Sequence, residues 1–561
     1  MKLPIGISDF KELINEECLF ADKTLFIKDI VHDTSKVIVI TRPRRFGKTL
    51  NLSMLYYFLR QNHVTDKNLF EDLNISKDTE FCKLHQQQYP VIFISFKDVK
   101  EATYSKAYAE IVELIRRLYE EHNYLLEGSV LSEGEKTIFM TLLNREADEA
   151  SVKAAISQLS LYMERKFKKS PIILIDEYDT PIQEAYLKEY YEQMIVLMRG
   201  ILGKALKDNL NLKKAILTGI TRIAQESLFS GVSNLEVYSV LEERYGQYFG
   251  FTEEEVLKLI KDSEQTLSIA PIKEWYNGYQ VGRYTLYNPW SILGCLKNHG
   301  ALQWYWINTS SNDLVAQLLT DAGSATKLQF ERLLQGEIIE RPISKNLVLP
   351  NLKTQEAALW SLLLYTGYLK VLSTRITEFQ MLAQIAIPNK EVGFVYNEIV
   401  TGWFSIEANM DVYQSFIESL INGDLDKFKY NLSNYIIQTG SYFDFNEKTP
   451  ERIFQVFILG LVVGLKKDYI IQSNRESGLG RLDVIFIPKN KERRGILMEF
   501  KTSDSAELCL SKAKEGLDQI KDKKYMETFK QHGVTSALAI GLAFCGKQVE
   551  LVYENISTNQ N

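Results

Sequence analysis

The chain has 561 residues, of which 45% are hydrophobic and 25% charged, and its net charge is −6. Because one hydrophobic core rarely serves more than ~250 residues, this length predicts about three folded units, and the acidic balance limits any polynucleotide contact to local basic patches. No run approaches the ~20 apolar residues of a membrane helix and the start lacks a secretory signal, so we expect a cytoplasmic protein without membrane contact.

The first part of the chain alternates apolar, β-rich runs with amphipathic segments of helical length. The runs lie at 36–40 (KVIVI), 89–96 (YPVIFISF), 170–176 (SPIILID) and 213–220 (KKAILTGI). Strands separated by helix-length segments imply a parallel sheet with helices on both faces. We therefore predict α/β architecture through about residue 250.

From about residue 251 the pattern becomes mainly helical. The segment FTEEEVLKLIKDS carries Thr252 and Glu255 at its start, and this pair fits a capping box at a helix N-terminus. Strand-like pieces at 367–375 and 378–392 interrupt the helices. The pattern predicts a mostly helical middle region that also contains β structure.

A third pattern begins near residue 446. A helical run at 451–465 precedes the strand-like runs YIIQSN, RLDVIFIP and ILMEFK, and a helix around 506–524 precedes an apolar run at 536–543. The final residues, 554–561, have the composition of a solvated tail. These features predict a second compact α/β unit.

A candidate phosphate-binding loop lies in KVIVI-TRPRRFGKT-LNLSMLYYFL, with Gly47, Lys48 and Thr49 where a loop becomes a helix. Backbone N–H groups at a helix N-terminus favour a phosphate, the lysine supplies positive charge, and the threonine hydroxyl can bind Mg²⁺. Arg42 stands where the G-x-x-x-x-G-K-[ST] pattern has its first glycine, so the motif is a variant. Taken alone, the segment is also compatible with an ordinary strand-to-helix turn.

A complementary acidic motif closes the run SPIILIDEYD, which ends in Asp176 and Glu177. Asp176 is placed to hold Mg²⁺ directly or through water, and Glu177 can polarise the attacking water. The alternative, a capped start of the next helix, leaves acids at the end of a buried strand without a partner, which is costly. Together the two motifs predict a site for a nucleoside triphosphate.

A further strand, AILTGI, ends at Thr221 and Arg222. If it lies beside the acidic strand, Thr218 or Thr221 can sense the γ-phosphate and Arg222 can stabilise transition-state charge. A surface salt bridge is an equally good interpretation of Arg222. The polar residues 22–24 are interpreted as an exposed helix cap.

Five motifs together resemble the AAA-ATPase-like family of bacterial proteins: FADKTLFI, TRPRRFGKT, LIDEYDTPI, LTGITRIA and WYNGYQVGRYTLYNPWSIL. The resemblance spans most of residues 1–290 and implies a P-loop ATPase that uses ATP and Mg²⁺, with an arginine-rich loop as a family habit. The residues it implies at the nucleotide are Arg44, Arg45, Phe46, Gly47, Lys48, Thr49, Asp176 and Glu177. The NGY and YNP elements are interpreted as turns without a catalytic role.

A second candidate site lies in GRLDVIFIPKNKERRGILMEFKTSD, where two apolar strands flank a charged connector. Pairing about position 491 would set Asp483 beside Glu499, and alternation puts Lys501 on the face of Glu499. Two converging carboxylates repel unless a cation or a proton intervenes, and Mg²⁺ with its oxygen ligands suits such a pair. Alternating charged and apolar residues also describe any half-solvated strand.

This arrangement resembles the PD-(D/E)xK nuclease fold, a restriction-endonuclease-like α/β domain. The resemblance implies metal binding by Glu451, Asp483 and Glu499, a catalytic role for Lys501, and a polar helix residue at Gln519. Leu482 stands where the family pattern has its proline, and Glu476 competes with Glu451 for the first acid.

Three domains follow from these patterns: an ATPase domain at 1–290, a helical middle at 291–445 and a nuclease-like domain at 446–561. We expect an ATPase coupled to a Mg²⁺-dependent nuclease acting on DNA, and the resemblance alone implies a role in defence against foreign genetic elements. The alternatives are a nucleotide-driven switch or scaffold that binds nucleic acid or protein without cleaving it, and an ATPase that binds but barely hydrolyses. A homo-oligomer is left open.

Overall fold

The computed structural model describes residues 2–61, 64–207, 209–222, 235–306, 313–320, 322–334, 336–405, 410–443, 458, 462, 465, 468–477, 480–522, 529 and 532–557. The chain divides into two compact units, one of Met1–Leu314 with Glu340–Val392 and one of Val315–Ile339 with Gly393–Asn561. The predicted middle region is divided between these units, and the three-domain division stays a prediction.

Outside the sheets, most of the described residues lie in α-helices. Numbered along the chain, they are α1 (Phe10–Asn15), α2 (Leu25–His32), α3 (Lys48–Leu59), α4 (Thr79–His85), α5 (Tyr104–Glu121), α6 (Glu133–Leu143), α7 (Glu149–Phe167), α8 (Thr180–Leu187), α9 (Tyr191–Leu206), α10 (Glu253–Asp262), α11 (Ile269–Tyr276), α12 (Pro289–Lys297), α13 (Asp313–Thr320), α14 (Ser324–Leu334), α15 (Glu356–Tyr365), α16 (Lys390–Ser405), α17 (Met410–Asn422), α18 (Leu425–Phe443) and α19 (Ala506–Asp522). The predicted capping box is present at α10, between Thr252 and Glu255. Within the described residues, no helix is both long enough and apolar enough to cross a bilayer.

Five parallel strands form the central sheet of the first unit. They are β1 (Val37–Thr41), β2 (Val91–Ser95), β3 (Ile172–Asp176), β4 (Lys214–Gly219) and β5 (Leu235–Tyr238), in the spatial order β2-β3-β4-β1-β5. The first four confirm the predicted runs. β1, β3 and β4 are buried along their whole length, as strands in a covered parallel sheet are. Because β4 lies between β1 and β3, the carboxyl ends of all three meet at one edge.

Smaller β elements complete the first unit. β6 (Tyr279–Val281) and β7 (Tyr284–Leu286) form a hairpin, and β8 (Ile339–Ile343), β9 (Lys370–Ile376) and β10 (Met381–Ala386) form a sheet in the order β8-β10-β9. The β structure predicted within the middle region is therefore confirmed at β9 and β10.

The second unit is built on a mixed sheet with its strands in chain order. They are β11 (Tyr469–Ser477), β12 (Gly480–Pro488), β13 (Gly495–Thr502), β14 (Ser536–Cys545) and β15 (Gln548–Ser557), and only the β13–β14 pair is parallel. A parallel pair needs a crossover, and α19 provides it. The interpretation of 554–561 as a solvated tail is wrong over 554–557, because cross-strand pairing with β14 holds β15 through Ser557.

Alternating side chains of β12 and β13 enter two different apolar clusters. Val484, Phe486 and Met498 pack in one, whereas Ile485 and Leu497 pack in the other together with α19 residues. Since side chains two residues apart share a face, Glu499 and Lys501 share the α19 side of the sheet with Leu497.

Candidate functional site

In the loop between β1 and α3, the side chain of Lys48 donates hydrogen bonds to carbonyl groups of the loop itself. Gly47 caps α3 with a positive φ of 80°, a left-handed conformation that glycine adopts without steric cost. Lys48 is 4% exposed, and its Nζ donates to the carbonyl oxygens of Arg42 (3.1 Å) and Pro43 (3.0 Å). Burial lowers the pKa of Lys48, while Glu177 and Asp176 oppose that shift. A desolvated cation at a helix N-terminus is suited to an anionic ligand.

Asp176 lies at the carboxyl end of β3 and is fully buried. Its Oδ2 accepts a hydrogen bond from Thr49 Oγ1 at 2.8 Å, and its Oδ1 accepts one from Thr218 Oγ1 at 2.6 Å. Burial raises the pKa of this carboxyl, and the Thr218 hydrogen bond counteracts the rise. The ends of β3 and β4 and the start of α3 thus bring together the predicted Asp176, Thr218 and Thr49.

Arg42 explains the departure from the usual phosphate-loop pattern. It is fully buried, and its guanidinium donates to the carbonyl oxygens of Thr41 and Tyr238, both at 2.8 Å, and lies 5.4 Å from the Phe249 ring centroid. Burial lowers its pKa to about 9. Arg42 therefore ties the loop to the end of β5 and points into the protein interior, away from any ligand of the loop.

The two acids after Asp176 have different surroundings. Glu177 adopts a φ of 49°, which is unusual for a residue with a side chain, and accepts a hydrogen bond from Thr180 Oγ1 at 3.0 Å. Asp179 is fully buried, and its Oδ2 accepts from the backbone N–H groups of Ile220 (2.9 Å) and Thr221 (2.7 Å). Asp179 thus fixes the chain beyond β4 against the acidic loop.

The two other predicted residues beyond β4 do not face Asp176. The Thr221 hydroxyl donates to Asp179 Oδ2 at 2.9 Å, so Thr218 and not Thr221 contacts the acid at the end of β3. The carbonyl of Arg222 accepts from Leu347 N–H at 3.0 Å, and the Arg222 Nε is buried with no hydrogen-bond partner in the described part of the chain. Arg222 is also absent from the described residues that line the cleft beside the loop.

That cleft has a volume of about 400 Å³, within the usual range for small-molecule sites. Its charged lining residues are Lys23, Arg44, Arg45, Lys48, Lys97, Asp98, Lys100 and Glu177. Its apolar lining residues, here called the apolar part of the cleft, include Ile7, Leu19, Phe20, Phe251, Trp290 and Leu293. A cleft with these two characters suits a ligand that has an anionic end and an apolar end.

Three cleft residues were misjudged or missed in the sequence. Lys23 is 7% exposed and its Nζ bonds to Glu255 Oε1 at 2.5 Å, so the expected exposure of residues 22–24 is wrong. Their position as a helix cap is confirmed, because Thr24 is the N-cap residue of α2. Lys97 and Lys100 follow the carboxyl end of β2 and were not predicted. Their position directly after a parallel strand could have predicted their place in the cleft, because the carboxyl ends of parallel strands form ligand sites.

The YNP turn positions one cleft wall. The Asn288 side chain caps α12 by accepting from the N–H groups of Trp290 (2.9 Å) and Ser291 (3.2 Å). Trp290 Nε1 donates to the Tyr305 carbonyl at 3.1 Å, and the Arg45 guanidinium lies 4.4 Å from the Trp290 ring centroid. The indole is therefore held from two sides.

The hairpin of β12 and β13 has the predicted register. Val484 pairs with Met498 and Phe486 with Ile496, so continuing by one residue sets the backbone of Asp483 opposite Glu499. Glu499 is 2% exposed; its Oε1 lies 3.2 Å from Lys501 Nζ and also accepts a hydrogen bond from Gln519 Nε2. The structure thus brings together Glu499, Lys501 and Gln519.

The side chains of the other metal ligands predicted for the C-terminal site are not among those that the structure describes. Glu451 lies outside the described residues, and the side chains of Asp483 and Glu476 are likewise not described. Among the side chains that are described, no group of three or more His, Cys, Asp or Glu residues is arranged to hold a metal ion. The one described acid, Glu499, has the oxygen donors that Mg²⁺ prefers.

Two family models match different parts of the chain. Residues 4–229 match the model described as Predicted AAA-ATPase, and residues 449–554 match the PD-(D/E)XK nuclease superfamily. These matches agree with the two resemblances drawn from the motifs and cover the loop, the acidic strand and the C-terminal hairpin.

Individual proteins resemble longer stretches. An uncharacterized protein in the vnfD 5' region of Azotobacter chroococcum mcd 1 is 25% identical over 399 residues, which cover 71% of this chain and 69% of that protein. The solved Walker-type ATPase PABY2304 of Pyrococcus abyssi aligns with 71% of this chain and 98% of its own, at 13% identity and a TM-score of 0.34. By its family matches, the chain carries a predicted AAA-ATPase domain at residues 4–229 and a PD-(D/E)XK nuclease superfamily domain at residues 449–554.

Proposed function

We propose that the first unit binds and hydrolyses ATP and that its nucleotide cycle controls a Mg²⁺-dependent nuclease in the second unit, which acts on DNA. A role in defence against foreign genetic elements is part of this proposal and rests on the resemblance to the family. The observation that carries the ATPase is the placement of Lys48 and Thr49 in the lining of one cleft, with Asp176 bonded directly to Thr49. Lys48 and Asp176 are each satisfied by neutral groups.

In the first unit, Lys48 would contact the outer phosphates in place of its present loop carbonyls, and Thr49 and Asp176 would hold Mg²⁺. Bound Mg²⁺ would supply charge neutralisation at the phosphates. Glu177 is the proposed base for the attacking water, because it lines the cleft next to Asp176. Arg222 lies outside this lining, so we propose its charge-stabilising role only for the cleft of a neighbouring copy.

In the second unit, Asp483, Glu499 and Glu451 would hold Mg²⁺, which would activate water for phosphodiester cleavage. Lys501 would neutralise the scissile phosphate or position the water. Gln519 contacts Glu499 directly and would orient its carboxylate. Such hydrogen bonds to a ligating carboxylate tune a metal site.

The contacts of Glu499 favour a second candidate function, binding without cleavage. Its carboxylate is 2% exposed, ion-paired with Lys501 and bonded to Gln519, so its charge is satisfied without a metal. A domain with this arrangement could bind nucleic acid or protein without cleaving it, and the first unit would then drive a switch or a scaffold.

Phosphate release from ATP tests the first half of the proposal. We expect Lys48→Ala to abolish tight ATP binding, and Glu177→Gln to keep binding but lower the turnover rate by about 100-fold, as expected for loss of a general base. Arg117→Ala, at a side chain of α5 that is 60% exposed, is the control and should match the wild type. Equal rates for wild type and Glu177→Gln would indicate a protein that binds ATP but barely hydrolyses it.

A cleavage assay on linear, nicked and single-stranded DNA, with and without ATP, tests the second half. Cleavage by the wild type that requires Mg²⁺ and is lost in Lys501→Ala would support the nuclease. Dependence of that cleavage on ATP, removed by Lys48→Ala, would support coupling. DNA binding without cleavage, retained in Asp483→Ala, would instead support the switch or scaffold.

A further inference from the structure

We infer that the apolar part of the cleft is a purine-binding compartment, with Trp290 as its fixed stacking wall. This inference rests on the proposed ATPase function and names the part of the ligand that the phosphate loop does not hold. The cleft is continuous from the loop to residues of the N-terminal segment and of α12, and its volume of about 400 Å³ accommodates a whole nucleotide.

The apolar part is built by segments that are distant in sequence. Leu19 and Phe251 pack in one apolar cluster with Ile292 of α12, and all three segments contribute to the cleft lining through Leu19, Phe251 and Leu293. Phe20 and Trp290 add two aromatic rings to the same lining. Flat aromatic surfaces beside aliphatic side chains favour a planar heterocycle, because a base gains binding energy by stacking on an aromatic ring.

Trp290 is preorganised by contacts within the protein. Its backbone N–H is bonded to the Asn288 side chain, its indole N–H to the Tyr305 carbonyl at 3.1 Å, and Arg45 lies over its ring. A wall held in this way loses little conformational entropy when a ring stacks on it. Arg45 also belongs to the phosphate loop, so the stack connects the apolar part of the cleft to the charged part.

Two of the polar side chains near this compartment, Lys23 and Asn51, are already committed to protein partners. Lys23 bonds to Glu255 and to the Gln247 carbonyl, and Asn51 donates to the Tyr248 carbonyl at 2.8 Å. The backbone of Gly6, Ile7 and Ser8 also lines the cleft and makes no hydrogen bond to another described residue. Ring area therefore contributes more to recognition than these committed side chains, which favours the larger purines over pyrimidines.

Calorimetric titration of the full-length protein with ATP, CTP and inorganic tripolyphosphate, each with Mg²⁺, tests this compartment. We expect Trp290→Ala to weaken ATP binding by about tenfold or more and to leave tripolyphosphate within about twofold. Trp290→Phe should retain most of the affinity for ATP, and the wild type should bind ATP more tightly than CTP. Tripolyphosphate binding by Trp290→Ala also shows that this variant is folded.

Two further variants separate the possible failures. Lys48→Ala should weaken ATP and tripolyphosphate together, and Trp304→Ala, a 42% exposed tryptophan outside the described cleft lining, should change neither. If Trp290→Ala leaves ATP binding unchanged or weakens both ligands equally, the compartment is refuted while the ATPase stands. If the wild type binds neither ligand, the proposed ATPase itself is refuted.

Discussion

The phosphate-loop region and the C-terminal hairpin each place a buried carboxylate on a strand near a lysine, Asp176 at the end of β3 and Glu499 within β13. The two carboxylates are neutralised differently. Asp176 is satisfied by the hydroxyls of Thr49 and Thr218, while Lys48 donates to loop carbonyls. Glu499 is ion-paired with Lys501 from its own strand. In the cleft, the cation and the anion are kept apart and each can exchange a neutral partner for ligand; in the hairpin, a ligand must compete with an ion pair.

The largest expected effect on stability comes from removing the side chain of Asp179, which bonds the acidic loop after β3 to the chain beyond β4. In Asp179→Ala, the buried N–H groups of Ile220 and Thr221 lose their acceptor, and each unsatisfied donor costs ~1–3 kcal/mol. We expect the free energy of unfolding to fall by about 4 kcal/mol in urea denaturation of the full chain. Asp179→Asn keeps a carbonyl oxygen and should lose less than half as much; equal losses would show that the hydrogen bonds are not the cause.

Much of this site follows from local patterns. The strand ends that carry Asp176 and Thr218 and the Asp483–Glu499 register were predictable, because strands and hairpin pairing follow from hydrophobic runs and their spacing. The adjacency of β3 and β4 was only a condition of the prediction, because hydrophobic runs do not fix the order of parallel strands. The packing of Arg42 was not, since its acceptor Tyr238 lies 196 residues away. The Lys23–Glu255 pair joins residues 232 apart, and no short window of sequence contains both partners.

A second prediction tests whether the cleft has a pH-sensitive support. Glu391 is fully buried and accepts hydrogen bonds from Ser291 Oγ and Trp306 N–H, both at 2.7 Å, and Trp306 Nε1 donates to the Arg44 carbonyl of the phosphate loop. Burial raises the pKa of Glu391 to about 7, and the hydrogen bonds from these groups oppose the rise.

A carboxyl with a raised pKa keeps its proton in the folded state at pH values where the unfolded chain has lost it. Its contribution to stability is therefore complete below about pH 4.5 and is lost as the pH rises to about 7, by up to ~3 kcal/mol. We expect thermal unfolding to show wild type losing stability relative to Glu391→Gln between pH 5 and pH 8. A constant difference between the two proteins would contradict the assignment.

A third prediction concerns a substitution that should destabilise the second unit and leave the cleft of the first unit intact. A Cβ at Gly541 of β14 would lie 2.1 Å from the Ala513 carbonyl oxygen and 2.6 Å from the Leu517 nitrogen, both backbone atoms of α19. Gly541→Ala should therefore push α19 away and destabilise the second unit by about 2 kcal/mol. Any DNA cleavage should fall while ATP hydrolysis remains, and parallel loss of both activities would contradict the separation.

Gly516→Ala is the matched control on the other side of this contact. A Cβ there would meet Glu499 O at 3.4 Å and Lys501 Cγ at 3.6 Å, which are ordinary contact distances. Alanine is also a better helix former than glycine, by ~0.5–1 kcal/mol, so this variant should be neutral or slightly more stable. Destabilisation by Gly516→Ala would show that α19 tolerates no added volume at all.

The smallest expected effect is the most informative about the ion pair at Glu499. Gln519→Met keeps the length of the side chain but removes its hydrogen bond to Glu499, and we expect a loss of about 1 kcal/mol in stability. If Lys501 is the main partner of Glu499, Mg²⁺ affinity measured by calorimetry should change little. If Gln519 orients the carboxylate for a metal, Mg²⁺ affinity should fall by about tenfold or more, because such second contacts typically tune metal binding to that extent. The latter result would make the hairpin resemble the cleft, with a neutral group that prepares the acid for its ligand.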